Sequence, residues 1–284
     1  MTLEYNGKEC MKKADPKEIF NYWVHERLDV LARKNIKVKK PWSKDPIFQT
    51  VYFCNVRREE DKTTKWIRQW TEDITSPISM MVWYTLARTL NNIDTLESLG
   101  EPTDDIDFAW LSTRLKNRRK QGKQIFGGAY LITTCGVKMD KLDYVLDLAA
   151  SVKNCCSVCD TLEEQWLELT RVKGLGNFLA AQIVADLKNT QGMHWNQAED
   201  FYTFVASGPG SIKGLNYFFE RKPELLITNA RFKKELEIVR EYMDKKEDQP
   251  LYLCNQDLQN CLCEYSKYMR VLNGGRTKRN YQGL

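Results

Sequence analysis

The segment Lys173-Gly174-Leu175-Gly176-Asn177 has the residue types and spacing best suited to chemistry on an anion. Two glycines one residue apart let a backbone approach a ligand closely. The apolar run that follows, Phe178 to Leu187, reads as a helix whose first N–H groups can hold a phosphate. A helix is expected over 161–171, so the two make a helix-hairpin-helix. Lys173, Gly174, Gly176 and Asn177 are the candidate DNA-backbone contacts. The alternative is a plain helix corner, because Gly-x-Gly turns also cap ordinary helices. Three other groups could take an anion. Arg57 and Arg58 suit charge-assisted bonds to phosphate, although Arg57 and Asp61, one helical turn on, equally suit a salt bridge. Gly208-Pro209-Gly210-Ser211 is a loop before a helix, with Lys213 in reach. Lys267 and Arg270 fit a bound phosphate or an anchored tail.

The elements that must position these groups are helices. Asp15-Pro16-Lys17-Glu18 is a helix start, with an Asp cap, a first-turn proline and a Glu to close the box. Asp160 with Glu163 predicts a capping box for the first hairpin helix. Helical spacing predicts further helices over 55–70, 77–99, 108–121, 139–152, 231–243 and 258–269. The helix over 108–121 carries Arg114, Lys116, Arg118, Arg119 and Lys120, a basic patch or a solvated face. Few strands and no repeat appear, so the expected fold class is all-α. Residues 1–14 read as a basic arm and 270–284 as a basic tail. Residues 15–269 read as one helical region, divisible into lobes 15–135 and 136–269.

The chain has 284 residues and a formal net charge of +5, which permits a nucleic-acid partner without requiring one. Nine cysteines without a secretory leader point to reduced thiols. Cys155, Cys156 and Cys159 form one group, and Cys254, Cys261 and Cys263 another that lacks a fourth member downstream. The two histidines, His25 and His194, do not sit at ligand spacing from a cysteine pair. No metal and no cofactor are expected. With no leader and no apolar run long enough to span a bilayer, the chain is expected to be cytoplasmic, and it is expected to be a monomer.

Five ordered segments carry a family resemblance: Phe20-Asn21-Tyr22-Trp23 with Glu26-Arg27; Pro41 to Ile47 followed by Phe53 to Arg58 and Asp61; Phe126-Gly127-Gly128-Ala129-Tyr130; the glycine hairpin with Asp200, Gly208 to Ser211 and Gly214-Leu215; and Cys261 to Arg270. Across residues 18–280 the chain resembles the alpha-glutamyl/putrescinyl thymine pyrophosphorylase family. That resemblance implies a fold like that of helix-hairpin-helix DNA glycosylases. It implies double-stranded DNA with a modified thymine as partner, and an amine, either amino acid or polyamine, as co-substrate. The reaction would replace pyrophosphate on an activated 5-hydroxymethyluracil. The alternatives are a glycosylase that excises a modified base and a non-enzymatic reader. Each enzyme reading requires flipping the base, with Trp42, Tyr130, Trp195 and Tyr202 as candidate stacking residues. Asp200 is the catalytic candidate by that resemblance, Asp186 a weaker one, and a helix cap or ion pair the structural alternative. Arg57, Arg58, Lys213 and the Gly208–Ser211 loop would meet the leaving pyrophosphate, and Tyr130, Asp61 and Lys267 complete the candidate pocket. Phe178 stands where strand-cleaving glycosylases place a Schiff-base lysine, which argues against lyase chemistry. The chain has no Gly-x-x-x-x-Gly-Lys-Ser/Thr loop, so the kinase that activates the base is not expected here.

Overall fold

The computed structural model describes residues 4–128, 132–246 and 251–276. Thirteen α-helices occur among them, and no strand. In chain order they are α1 (Lys8–Lys13), α2 (Pro16–Asn35), α3 (Pro46–Thr50), α4 (Lys62–Trp70), α5 (Pro77–Leu90), α6 (Ile93–Glu97) and α7 (Phe108–Lys120). Then come α8 (Lys141–Cys155), α9 (Leu162–Thr170), α10 (Asn177–Lys188), α11 (Pro209–Phe218), α12 (Asn229–Lys246) and α13 (Asn255–Leu272). The all-α expectation holds.

Three starts share one device: a capping side chain followed by proline, whose missing N–H costs nothing at the first helical position. Asp15 accepts from the Lys17 N–H at 2.9 Å, Asp45 from Ile47 at 2.8 Å and Ser76 from Ser79 at 3.3 Å. Glu18 does not close the box at Asp15. Its carboxylate takes the Tyr242 hydroxyl at 2.9 Å and the Lys246 ammonium, tying α2 to α12. The box at α9 is one residue later than expected, formed by Thr161 and Glu164.

Two expected long helices are broken. Residues 55–61 form a loop with one 3-10 turn, because side chains there outbid the helical pattern. The Asp61 carboxylate takes the Asn55 N–H at 3.0 Å, and the Asn55 amide donates to the Glu60 carbonyl at 3.0 Å. The 77–99 stretch splits at Asn91, whose left-handed φ of 45° closes α5, and Asn92 caps α6. Within the expected N-terminal arm, residues 8–13 fold into α1, which buries Met11.

The chain forms two compact units, Met1–Asp61 with Val205–Leu284, and Lys62–Phe204. The first is therefore assembled from both ends of the sequence. In it α11 lies against α13, with α2 packed on both. Gly210 and Gly214 let the helices close up: a Cβ on Gly214 would overlap the Leu262 carbonyl, and one on Gly210 the Cys263 sulfur. Aromatic edges fill the core, such as Phe20 on Tyr265 at 5.2 Å and Phe48 on Phe53 at 5.1 Å between ring centres.

The second unit is organised around α5, which is buried from Ser79 to Leu90 and packs on α8 and α10. A buried ion pair locks it to α10. The Arg88 guanidinium grips both oxygens of Asp186, at 2.5 and 2.6 Å. Arg68 donates to the Asp186 carbonyl and to Thr190, each at 2.7 Å. Asp186 is thus part of the framework. The basic residues of α7 are largely engaged: Lys116 pairs with Asp143, Arg119 with Asp140, and Arg114 lies over Trp110.

Candidate functional site

In the second unit, α9, the turn over 171–176 and α10 form the expected hairpin. Gly174 has φ +97°, and a Cβ there would overlap the Tyr144 hydroxyl, so glycine is required twice over. Gly176 is the N-cap of α10, no side chain caps that helix, and a Cβ at Gly176 would meet open space. Lys173, Gly176 and Asn177 are exposed beside it. The Asn177 carbonyl takes the Trp166 indole N–H at 3.1 Å, which pins the first turn of α10 to α9. Together these leave a cationic rim and a helix N-terminus on the surface, an arrangement that suits a phosphate. Phe178, at 47% exposure, sits in the same first turn.

Asp200 lies away from that turn, in a loop at the opposite end of α9. Its two carboxylate oxygens accept from the Leu162 and Glu163 N–H groups, both at 2.9 Å, so it caps the start of that helix. The hairpin turn follows the other end, a helix length of roughly 13 Å away. The buried Lys188 ammonium donates to the Phe201 carbonyl at 2.7 Å and steadies the loop that carries Asp200. Trp195 is a core residue, its indole N–H on the Cys159 carbonyl at 3.0 Å, whereas Tyr202 is 63% exposed. Tyr130 lies outside the described residues.

In the first unit, the loop over 51–61 is laid along α13, which brings the second and fifth of the five segments together. The Glu264 carboxylate accepts from the Cys54 N–H at 3.0 Å and from the Lys267 ammonium at 2.6 Å. Lys267 also donates to the Tyr52 carbonyl at 3.2 Å. Asn260 holds the Asn55 carbonyl at 3.0 Å, and Arg27 on α2 holds the Cys54 carbonyl at 3.0 Å and the Asn55 side chain. Arg57 donates to the Leu251 carbonyl at 3.0 Å, and the Arg58 N–H donates to Asp257 at 3.2 Å. Asp61 and Lys267 therefore share one polar network, while the bonds of the Arg57 side chain and the Arg58 N–H go to Leu251 and Asp257, before and at the start of α13. Arg27, Asn55 and Glu264 belong to it too. All three stand within the ordered segments, yet sequence reasoning gives them no part, since a bond spanning 210 positions has no local signature.

Gly208, Gly210 and Ser211 serve α11 itself. Ser211 is 0% exposed, and its hydroxyl bonds the Gly208 N–H and carbonyl, both at 3.0 Å. Gly210 packs on Cys263, while Lys213 is exposed on the next turn. This glycine loop is closed against α13 and has no open cradle.

Burial is the largest influence on the Asp61 carboxyl and raises its pKa above the ordinary 3.8. The Asn55 N–H, Arg58 and Arg27 pull it back down, and Glu264 pushes it up. Burial likewise pushes the Cys263 thiol to about 11. A carboxyl raised in the folded state binds its proton more tightly there than in the unfolded chain. Its contribution to stability therefore falls as pH climbs from 3.8 through the raised value. Asp61→Asn keeps an acceptor for the Asn55 N–H and removes the buried charge. The variant is expected to gain stability relative to the native chain as pH rises from 3.8, in urea titrations at stepped pH. A relative loss would show that the two arginines outweigh burial.

Among the described residues no group of three or more His, Cys, Asp or Glu side chains is placed to hold a metal ion, and no helix is long and apolar enough to cross a membrane.

The described residues are all-helical, with a glycine hairpin in the second unit and, in the first, a polar loop held against α13. The chain belongs to the family described as "5-hmdU DNA kinase, helical domain", whose profile matches residues 16–276. It is 26% identical over 298 residues to a protein named 5-hmdU DNA kinase from Bacillus phage SP10, covering 90% of this chain and 45% of that protein. The chain thus spans less than half the length of this relative. No solved structure matches it. This corrects the family assigned from sequence: the one shown is a relative within thymine hypermodification, not the pyrophosphorylase family itself.

Proposed function

We propose that this chain binds duplex DNA containing 5-hydroxymethyluracil, or its phosphorylated derivative, and acts on that base. The observation that carries the reading is the family match along residues 16–276, to a domain named for a kinase of 5-hmdU in DNA. The hairpin supports it by supplying a lysine, glycines and a helix N-terminus suited to a DNA phosphate.

The chemistry we assign to this chain is displacement of pyrophosphate from the activated base by an amine. Phosphoryl transfer from a nucleotide needs donors wrapped around its phosphates. The sequence has no Gly-x-x-x-x-Gly-Lys-Ser/Thr loop, and the Gly208–Ser211 loop is packed shut. Arg57, Arg58 and Lys267 are the cations we assign to the phosphate product. A second reading, a non-enzymatic reader of the modified base, is favoured by Asp200, whose two oxygens are both committed to capping.

The test uses duplexes carrying thymine, 5-hydroxymethyluracil or pyrophosphorylated 5-hydroxymethyluracil, with a mixture of amino acids and polyamines. The DNA is digested and its nucleosides are analysed by mass spectrometry. An amine-substituted thymidine with released pyrophosphate is the expected result. Free base with an abasic site would make the protein a glycosylase. Unaltered DNA bound with preference for the modified duplex would make it a reader. In the transferase or glycosylase case, Asp200→Asn shows whether that residue takes part: a structural cap costs about 1 kcal/mol of stability and leaves the rate standing.

A further inference from the structure

The positive charge of the chain is concentrated in the second unit. Residues 108–139 hold seven cations and no carboxylate. Subtracting those seven from the formal +5 of the whole chain leaves −2. A helix turned to water ordinarily mixes the two signs, as α12 does, with Glu235, Glu237, Glu241 and Asp244 set among its lysines and arginines. On α7 no acid follows the Asp107 cap, and the cations continue past its end to Lys123 and then Lys138. The helix dipole favours Arg118, Arg119 and Lys120 in the last turn. It does not account for Lys123 and Lys138, which lie outside any helix.

Part of this charge is met within the molecule. Lys116 pairs with Asp143 and Arg119 with Asp140, and Arg118 donates to the neutral Gln124 carbonyl at 3.1 Å. Lys120, Lys123 and Lys138 are exposed and have no ion pair among the described residues. Like charges held close without counter-ions repel one another, and a polyanion relieves that repulsion. The same contacts tie this strip to the hairpin. A Cβ on Gly174 would stand 2.1 Å from the Tyr144 hydroxyl and 3.7 Å from the Leu148 side chain, so the hairpin turn rests on α8. Asp140, whose two oxygens both accept from Arg119, at 2.9 and 2.8 Å, caps α8 four residues before Tyr144, a rise of about 6 Å. The hairpin and the strip thus meet α8 at the same end.

We propose that the C-terminal end of α7, with Lys123 and Lys138, is a second contact strip for the backbone of duplex DNA. It rests on the reading that this chain binds duplex DNA. Continuity with the hairpin is what selects a duplex from other polyanions: a backbone held at Lys173 has the strip beside it. Lys120, Lys123 and Lys138 each take a phosphate. Such contacts fix how a duplex lies on a protein and carry no sequence information. The strip therefore adds affinity and orientation, and it does not choose the base.

The measurement is fluorescence anisotropy of labelled duplexes with the full chain at stepped salt. The triple variant Lys120→Gln/Lys123→Gln/Lys138→Gln removes three exposed charges and breaks no ion pair among the described residues. Circular dichroism checks that it folds. It should bind at least tenfold more weakly than the native chain. Its slope of log affinity against log salt should be shallower by about 2.7, from about 0.9 for each phosphate no longer neutralised. The loss should be equal on duplexes carrying thymine and 5-hydroxymethyluracil. Lys222→Gln/Lys234→Gln/Lys245→Gln, in the first unit, removes the same net charge and should change neither affinity nor slope. A strip variant with native affinity and slope overturns the strip and leaves the reading of DNA binding intact. An equal loss in the control variant also overturns it, because net charge alone would then explain the effect. A loss confined to single-stranded RNA assigns the patch to RNA and overturns it as well. A native chain that binds no duplex overturns the reading and the strip together.

Discussion

Arg88→Met is expected to lower stability by about 3–5 kcal/mol, because it takes both guanidinium bonds away from the buried Asp186 carboxylate. Arg88 and Asp186 are 3% and 1% exposed, so water cannot take over the lost bonds. The same guanidinium also bonds Thr64 at 3.2 Å, which adds a further lost bond. The melting temperature should fall by roughly 10 °C. The double variant Arg88→Met/Asp186→Leu should recover most of that loss, since a buried pair often does no better than an apolar replacement of similar volume. Circular dichroism melts of the two variants decide the matter. A single variant that melts with the native chain would mean that α5 and α10 are held by packing alone. The result bears on function too, because the hairpin stands on α10.

The second large effect is expected at the hairpin. Gly174→Val places a β-branched residue at φ +97° and drives a side chain into Tyr144, so the turn must move. Lys173→Glu leaves the turn intact and reverses one exposed charge. Both should weaken duplex binding by about tenfold or more. They should differ in salt dependence. In Lys173→Glu the slope of log affinity against log salt should become shallower by about one, for the single phosphate that is no longer neutralised. Gly174→Val, by displacing the whole turn, should flatten it further. Lys245→Glu on α12 serves as the control. Unchanged slopes in both hairpin variants would remove the hairpin from the DNA interface and leave it a helix corner.

Much of this was legible locally. The hairpin glycines, the Asp15-Pro16 start and the apolar run of α10 announce themselves within a few residues, because caps and turns are local chemistry. The breaks were not. Residues 55–61 have helical spacing, yet Asp61 and Glu60 fold back on Asn55, and Glu264 fixes Cys54 from a distant part of the chain. Ser211 shows the reverse error. Gly-Pro-Gly-Ser looks like an anion loop, but its glycines answer the close approach of α13, which only the packed helices reveal. Arg57, Arg58, Asp61 and Lys267 were legible as polar candidates. That Asp61 and Lys267 join one network depends on a pairing of the two ends of the chain, and no spacing rule encodes it.

That pairing has a consequence for the order of events on the ribosome. All of α4 to α10 lies in one continuous stretch, so the second unit has every helix it needs once residue 204 has emerged. Helices α1 to α3 leave first, yet their partners α11 to α13 are made last. Through most of synthesis Phe20, Trp23 and Phe53, fully or almost fully buried in the finished molecule, have no core to enter. A nascent chain that stalls after residue 204 has emerged but before Glu264 carries a folded middle and an unsatisfied, aromatic-rich beginning. Such a chain is a natural client for holdase chaperones and a natural target for proteolysis.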